Sequence, residues 1–500
     1  MEKEYVLLPT KGARAKTFSA SRILVNMPAI DAETAPPITI DDFADGLPIT
    51  VIDNLMPDGP KLVKATENLA ALVNASSADA RMEEVVNYKL PGTNHSRLST
   101  SAARTLSRPS GHYYNFTFKC VSLTTGREIP RCEVIAYTDL STNAGNSGYT
   151  DNNGEITLQL AALNIQKLLV ISTDPSFWGD VRNNLAIDNS GFMEIQLKPA
   201  SPNDVDAISS YYPQRRFDIR TDITVGVIDT GVHAHSDLNL VGGFNTVKNQ
   251  RNRDYSDYDN HGTHVAGIIG ANGSGASGRR GVAPGCRIWG GRVFDDNGDA
   301  TNFSILKAVI LAAVAECDIL NLSLGGGDSD PIVKDAFEDC NENGVLAVIA
   351  AGNDGREAVS FPAAYDSAIA VSAMGNEDFI PPDTIASLDI LRPPVSTKDT
   401  KEYIASFSNV GTQIDVTGLG TGIISTLRTG GYGQMSGTSM SAPFIAGCAA
   451  SLLSRNPDVF NMSRGPDRAR AIGDLLKSNC IKRGFGRTFE GYGLPDPDNI

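Results

Sequence analysis

From residue 205 to residue 500, short apolar runs of strand length alternate with segments of helical pattern. The runs are apolar on both faces, as strands are when helices cover both sides of a parallel sheet. They span residues 223–228, 288–294, 319–324, 345–350 and 369–373. This alternation predicts an α/β domain over residues 205–500, built on a doubly wound and mostly parallel sheet.

Residues 1–91 show a different and smaller pattern. Short strands are predicted at 5–8 and 49–53, a helix at 60–74 and a further strand at 82–90. The predicted helix would place Leu62, Ala65, Leu69 and Val73 on one face. The order of strand, helix and strand predicts a small α/β module.

Two further segments separate this module from the larger domain. Residues 92–111 are rich in Ser, Thr and Arg without an apolar period, which predicts an exposed linker open to proteolysis. Residues 112–200 contain short alternating runs separated by turns rich in Gly and Asn, which predicts an antiparallel β-sandwich. The stretch 126–154 resembles small prealbumin-like sandwich modules.

Composition excludes several classes of protein. The net charge is −15, which argues against sequence-independent binding to nucleic acid. The seven cysteines include no CxxC pair, which argues against a zinc site and against a disulfide framework. The N-terminus lacks the pattern of a signal peptide, and no apolar stretch reaches the length of a membrane span. We therefore expect a soluble, cytoplasmic protein without membrane or nucleic-acid partners.

Three segments of the large domain carry residues suited to catalysis. An apolar strand ends in Asp229 and a Gly turn, and the segment 260–267 places His261 in the first turn of a helix after Asn260. The segment 436–443 places Ser439 at the start of an apolar helix, with its hydroxyl expected to be exposed. Each residue alone has an ordinary structural explanation, such as a turn cap, a surface histidine or a helix N-cap.

Taken together, the three residues indicate nucleophilic catalysis. A hydroxyl is inert at neutral pH unless a base takes its proton, and the base needs a carboxylate to fix its tautomer. The chain order Asp, His, Ser is the order found in subtilisin. The segments VGVIDTGV, HGTHVAG and GTSMSAP are similar, residue by residue, to the three active-site motifs of subtilisin-like serine proteases, the subtilases.

The resemblance implies a serine endopeptidase acting on peptide or protein substrates without a required cofactor. Ser439 would be the nucleophile, His261 the general base and Asp229 its orienting partner, while Asn353 would donate to the oxyanion. Ser323, Leu324 and Gly325 would form one substrate-binding strand edge, and Gly298 would begin the opposite edge. Ser360 would lie at the floor of the pocket for the residue before the cut, which we expect to accept a medium or large side chain.

The resemblance also bears on metal binding and regulation. Asp237 matches a calcium-ligand position, but the companion loop carries two arginines at 279–280, which opposes a bound cation. Residues 375–401 look like an insertion, and the sequence does not indicate its role. Because subtilases often carry an N-terminal prodomain, residues 1–91 are a candidate intramolecular inhibitor.

Other hypotheses remain open at this point. Asp254, Asp257 and Asp259 would either favour basic residues in the substrate or form a solvated acidic loop. The chain could also be a binding or scaffold protein acting through residues 1–200. It could be a metal-dependent hydrolase using His261 and His264, although no HExxH motif is present.

Overall fold

The computed structural model describes most of the chain in ten stretches. These are residues 2–9, 49–55, 59–76, 80–90, 106–107, 112–187, 191–212, 222–273, 278–326 and 328–500. The predicted linker at 92–111 lies outside the described residues except for Leu106 and Ser107, where Ser107 bridges to Ala144 of the sandwich.

In its described residues, the N-terminal module has a four-stranded antiparallel sheet and one helix. The elements are β1 (Glu2–Pro9), β2 (Thr50–Asn54), β3 (Lys61–Thr66), α1 (Glu67–Ser76), β4 (Ala80–Glu84) and β5 (Asn87–Lys89). The strands of the sheet follow the order β2, β3, β1, β4, and β5 is separate from it.

The predicted helix at 60–74 is wrong in its first half, because residues 61–66 form β3. This strand is paired on both sides, by β1 and by β2. Leu62 packs against the large domain, whereas Val63 and Ala65 pack with Leu69 in the core of the module. The side chains therefore alternate with the period of a strand, and pairing with distant strands overrides the local helical spacing.

The β-sandwich consists of two sheets. The order β11, β10, β7, β8 forms a four-stranded antiparallel sheet, and β12, β6, β9 form a three-stranded sheet. The prediction of a purely antiparallel sandwich is wrong in one place, since β12 runs parallel to β6. The strands are β6 (Tyr114–Ser122), β7 (Glu133–Asp139), β8 (Ala144–Tyr149), β9 (Glu155–Leu160), β10 (Asn164–Ile171), β11 (Asp180–Ala186) and β12 (Phe192–Leu197).

The large domain is built on an eight-stranded sheet, and the prediction of a mostly parallel α/β fold is confirmed. The strand order is β14, β15, β13, β17, β18, β19, β20, with β21 also beside β19, and only β20 runs antiparallel to its neighbour. The strands of this sheet are β13 (Thr224–Asp229), β14 (Leu240–Asn245), β15 (Arg287–Arg292), β17 (Ile319–Leu322), β18 (Leu346–Ala350), β19 (Ala368–Asn376), β20 (Glu402–Ile404) and β21 (Val416–Leu419).

Smaller paired strands complete this domain. They are β16 (Asp299–Thr301), which pairs with β5, the hairpin β22 (Ile423–Thr426) and β23 (Tyr432–Met435), and the pair β24 (Cys480–Ile481) and β25 (Leu494–Pro495). The helices are α2 (Ala207–Tyr211), α3 (His261–Gly270), α4 (Asn302–Val314), α5 (Pro331–Glu342), α6 (Thr438–Arg455), α7 (Pro457–Phe460), α8 (Pro466–Ser478) and α9 (Arg487–Glu490). Two short 3₁₀ turns, Glu377–Phe379 and Ile385–Asp389, lie in the predicted insertion.

Helices cover both faces of the main sheet and make two cores. One core contains the apolar faces of α3 and α6, and the other contains those of α4 and α5. Val6, Leu8, Leu62 and Tyr88 of the N-terminal module belong to this second core. The module therefore docks on the α4 and α5 side of the large domain through apolar contacts.

Ion pairs also join the N-terminal module to the large domain. Lys307 Nζ lies 2.8 Å from Asp53 Oδ2, Lys248 Nζ lies 2.5 Å from Glu4 Oε1, and Arg81 pairs with Asp335. None of the seven cysteines, all of which lie in the described residues, forms a disulfide. Within the described stretches, no helix combines the length and apolar character that crossing a bilayer requires.

Candidate active site

Asp229 and His261 form a buried pair at the carboxyl end of β13, an interior strand of the main sheet. Asp229 is the last residue of β13, and His261 is the first residue of α3. His261 Nδ1 lies 2.7 Å from Asp229 Oδ1, and both side chains are almost fully buried. The backbone N–H of Thr230 also donates to Asp229 Oδ1, at 2.7 Å. These contacts orient the carboxylate toward the imidazole.

Gly262 permits the close approach of α3 to β13. A Cβ atom at this position would lie 2.0 Å from the carbonyl oxygen of Gly231 and 3.2 Å from Asp229 Oδ1. Any larger residue would push the helix away from the strand, and His261 would move with it. The glycine of this motif is therefore required by packing around the Asp–His pair.

The electrostatics of the site favour a charged imidazole. Burial by itself would lower the pKa of His261, but the carboxylates of Asp229, Asp259 and Asp257 outweigh it, and the pKa is raised above its ordinary value. The pKa of Asp259 is itself raised, chiefly by burial, although His261 partly offsets this. His261 is thus a stronger base than a free histidine.

Sequence reasoning missed the structural use of the acidic loop before His261. Asp257 is buried, and its carboxylate accepts hydrogen bonds from Thr230 Oγ1 at 3.0 Å and from the N–H and hydroxyl of Thr263. A solvated loop or a substrate-facing carboxylate at Asp257 is therefore excluded. The sequence did carry a signal for this role, because an Asp shortly before a helix typically accepts hydrogen bonds from the unpaired N–H groups of the first helical turn.

Ser439 lies in the first turn of α6, and the N-cap residue is Gly437. The expectation of an exposed hydroxyl is wrong, because Ser439 is only 2% exposed. Within the described residues, neither Ser439 Oγ nor His261 Nε2 has a hydrogen-bond partner. Both groups are buried polar atoms that no neighbour satisfies, which is a costly arrangement unless a partner or substrate completes it.

The side-chain amide of Asn353 and the backbone nitrogen of Ser439 both lie close to Gly437. Asn353 Oδ1 accepts from the N–H of Thr438 at 2.9 Å and from its hydroxyl at 2.8 Å, which fixes the orientation of the amide. A Cβ atom on Gly437 would lie 3.4 Å from Asn353 Nδ2 and 3.6 Å from the nitrogen of Ser439. Two N–H donors therefore border the volume beside Gly437.

The two predicted substrate-binding edges are paired with the chain's own strand β5. Asp299–Thr301 pairs antiparallel with Asn87–Lys89, and the N–H of Leu90 donates to the carbonyl of Gly298 at 3.0 Å. On the other side, Gly325 forms an antiparallel bridge with Lys89. An extended segment of the N-terminal module thus lies between the two edges.

Ser323, Leu324 and Ser360 lie close to this cleft. Leu324 is buried, and Ser323 Oγ donates to the carbonyl of Ser439 at 2.9 Å, which links one edge to the first turn of α6. Ser360 Oγ donates to the carbonyl of Ala351 at 3.0 Å. The same hydroxyl would lie 2.9 Å from a Cβ on Gly325 and 2.7 Å from one on Gly352, so it lies between these two glycines.

His264 has a structural role that contradicts the metal hypothesis. Its Nε2 lies 3.1 Å from the carbonyl of Ile423 and 3.0 Å from that of Gly433, and burial lowers its pKa to about 3. This neutral imidazole links α3 to the hairpin of β22 and β23. Among the described residues, no cluster of three or more His, Cys, Asp or Glu side chains could hold a metal ion.

Among the described residues of this region, Asp237 and Arg279 are both engaged with protein groups. The Asp237 carboxylate accepts a hydrogen bond from the hydroxyl of Tyr432 at 2.7 Å. Arg279 pairs with the buried Asp206 and donates to the carbonyls of Pro202 and Asp204. The Arg279 guanidinium thus binds oxygen atoms of the segment 202–206, and residues 274–277 of the loop lie outside the described part.

Comparisons with known proteins found similar sequences and one similar structure. A family model described as "Subtilase family" matches residues 220–493. Subtilisin DY of Bacillus licheniformis is 34% identical over 241 residues, covering 47% of this chain and 78% of that protein. Thermostable alkaline protease of Halalkalibacterium halodurans is 31% identical over 307 residues, covering 61% of this chain and 75% of that protein. A solved structure titled "S41 Psychrophilic Protease" aligns with a TM-score of 0.49 at 26% identity, covering 59% of this chain and 99% of that chain.

Proposed function

The chain belongs to the subtilase family of serine endopeptidases, and we propose that it hydrolyses peptide bonds through Ser439, His261 and Asp229. The observation that carries this proposal is the buried hydrogen bond between His261 Nδ1 and Asp229 Oδ1 at 2.7 Å. It leaves Nε2 of the neutral imidazole as the proton acceptor, which is the tautomer a general base requires.

The proposed reaction proceeds in two stages. Ser439 Oγ attacks the carbonyl carbon of the scissile bond while its proton passes to His261 Nε2, and Asp229 stabilises the imidazolium. The imidazolium then protonates the leaving amine, and an acyl-enzyme remains on Ser439. A water molecule, deprotonated by His261, hydrolyses this ester and regenerates the serine.

We assign stabilisation of the oxyanion to Asn353 Nδ2 and the backbone N–H of Ser439. Both donors border the space beside Gly437, where the carbonyl oxygen of a substrate would be polarised. Donors that are already oriented need no reorganisation as the negative charge develops, so they stabilise the transition state more than the substrate. The hydrogen bonds from Thr438 to Asn353 Oδ1 support this orientation of the amide.

The N-terminal module is proposed to act as an intramolecular inhibitor. Strand β5 pairs with Asp299–Thr301 on one side and with Gly325 on the other, in the manner of a peptide added to a sheet edge. A substrate that needs the same backbone groups cannot bind while β5 occupies them. Cleavage within residues 92–105 would free the module and leave the β-sandwich attached to the large domain.

One experiment tests the enzyme and its processing together. Wild-type protein and Ser439→Ala are incubated with peptide substrates and with a fluorophosphonate probe, and new protein termini are identified by mass spectrometry. We expect hydrolysis, labelling and new termini in the wild type alone. Hydrolysis that persists undiminished in Ser439→Ala would contradict the proposed nucleophile.

A further inference from the structure

The predicted insertion lies between the β-sandwich and the turn that leads to Ser439. Its second 3₁₀ turn contacts the sandwich through Ile385 and ends at Asp389, which is fully buried. Sequence reasoning found no role for this segment. Its position points to a link between the sandwich and the proposed nucleophile.

The sandwich holds the insertion by backbone pairing and by apolar contact. The N–H of Val181 donates to the carbonyl of Asp383 at 2.8 Å, and the N–H of Ile385 donates to the carbonyl of Gly179 at 3.2 Å. Ile385 is fully buried in a cluster that contains Ile135 and other apolar residues of the sandwich. The insertion is therefore ordered by a surface outside the large domain.

The same loop of the sandwich also contacts the hairpin that precedes α6. The N–H of Gln434 in β23 donates to the carbonyl of Pro175 at 2.9 Å. Trp178 packs in a cluster with Ile380 and Ile424, and thereby joins the insertion to β22. Strand β23 continues directly into the turn formed by residues 436–439.

Asp389 contacts this turn through its side chain. Its side chain is fully buried and shares a hydrogen bond with the hydroxyl of Ser436. Ser436 Oγ in turn accepts from the N–H of Gly422 at 2.9 Å. The backbone carbonyl of Asp389 is held by the N–H of Ser406 at 2.9 Å, so the carboxyl group is presented from a fixed segment. Burial raises the pKa of Asp389 well above its ordinary value, so a neutral amide is a close substitute for this carboxyl.

We propose that Asp389 is a positioning residue for peptide hydrolysis, which acts through the Ser436 hydroxyl to hold the turn that presents Ser439. The inference rests on the proposed role of Ser439 as nucleophile. It gives the insertion a function, which is to carry a buried hydrogen-bonding group to the reaction centre. It gives the sandwich a function too, because the sandwich orders that insertion.

The expected kinetic effect follows from the geometry. Ser436 and Ser406, which hydrogen-bond to Asp389, lie outside both substrate edges. Loss of the Asp389 side chain should therefore leave KM within about twofold, while the attacking oxygen of Ser439 is less well placed. Since misplacement of a reacting group by about 1 Å can cost about a hundredfold in rate, we expect Asp389→Ala to lower kcat about tenfold. Asp389→Asn keeps a hydrogen-bonding group of the same shape and should retain kcat within about twofold.

The test is a double-mutant cycle on the full chain. Asp389→Ala, Asp389→Asn, Ser436→Ala and the Asp389→Ala/Ser436→Ala double variant are compared by kcat, KM and the rate of fluorophosphonate labelling of Ser439. The matched controls are Asp378→Ala and Asp378→Asn, since Asp378 is an exposed carboxylate of the same insertion paired with Lys401. Active-site titration corrects each rate for the folded fraction, and Ser436→Ala serves if Asp389→Ala folds poorly.

The expected result is that both single alanine variants lower kcat and the labelling rate, that the double variant is no worse than Ser436→Ala, and that asparagine restores activity. Additive losses, a raised KM with unchanged kcat, or an asparagine variant as impaired as alanine would overturn the proposal. If the wild type is active and all variants match it, only the positioning role of Asp389 fails. If the wild type neither hydrolyses peptide nor labels at Ser439, the proposed function fails and this inference fails with it.

Discussion

Replacement of Tyr88 tests whether strand β5 closes the substrate cleft. Tyr88 is 1% exposed and packs in the core of the large domain rather than in the core of its own module. Truncation of a buried aromatic side chain to alanine costs about 3 kcal/mol or more. A change of about 1.4 kcal/mol in free energy is a factor of ten in population. Tyr88→Ala should therefore raise about a hundredfold the population of molecules with an open cleft, in which β5 has left the substrate-binding edges.

Two further variants at this strand sharpen the prediction. Lys89 is next in sequence, but its side chain is 71% exposed and pairs with Asp299 at the surface, which is worth less than about 1 kcal/mol. Lys89→Ala should therefore change the open population less than about fivefold. The hydroxyl of Tyr88 is buried without a hydrogen-bond partner among the described residues, so Tyr88→Phe should close the cleft more tightly.

The assay is the rate at which a fluorophosphonate probe labels Ser439 in uncut full-length chain, with intact mass confirming that no cleavage has occurred. The expected order is Tyr88→Ala fastest, then Lys89→Ala close to wild type, then Tyr88→Phe slowest. Equal labelling of Tyr88→Ala and wild type would refute the reasoning, because the cleft would then be accessible with β5 in place.

Other consequences of the site can be measured directly. Asp229→Asn should lower kcat by about 10⁴ with little change in KM, because the wrong imidazole tautomer is favoured; steady-state kinetics on a peptide would show this. Because the pKa of His261 is raised and the base must be neutral, activity should be lost as pH falls through a midpoint above 6.5, and Asp259→Asn should move that midpoint to lower pH in a profile of kcat/KM. Ser360→Gly should deepen the pocket and increase kcat/KM for large side chains before the cut relative to small ones, as a peptide library would reveal. A chelator should leave the unfolding temperature unchanged in differential scanning calorimetry, since the loop beside Asp237 places a guanidinium, Arg279, against the carbonyls of Pro202 and Asp204.

Much of the large domain could be predicted because its signals are local. A covered parallel strand needs apolar residues on both faces, so β13 is visible as an apolar run that ends at Asp229. The motifs around His261 and Ser439 are equally local, since each places one residue at a helix start. They were sufficient to identify the family, and the catalytic roles of these residues remain predictions.

The errors arise where distant parts of the chain meet. Residues 61–66 are a strand because β1 and β2 pair with them, although their spacing also suits a helix. Ser439 is buried and Arg279 binds Asp206 because of neighbours that no local pattern indicates. Short sequence segments therefore indicated which residues could be catalytic, because the start of a helix and the end of a strand depend on nearby residues. Only the three-dimensional packing shows what surrounds these residues, including β5 in the substrate cleft and Asp389 beside the turn formed by residues 436–439. Burial and hydrogen bonding there depend on contacts between residues that are far apart in sequence.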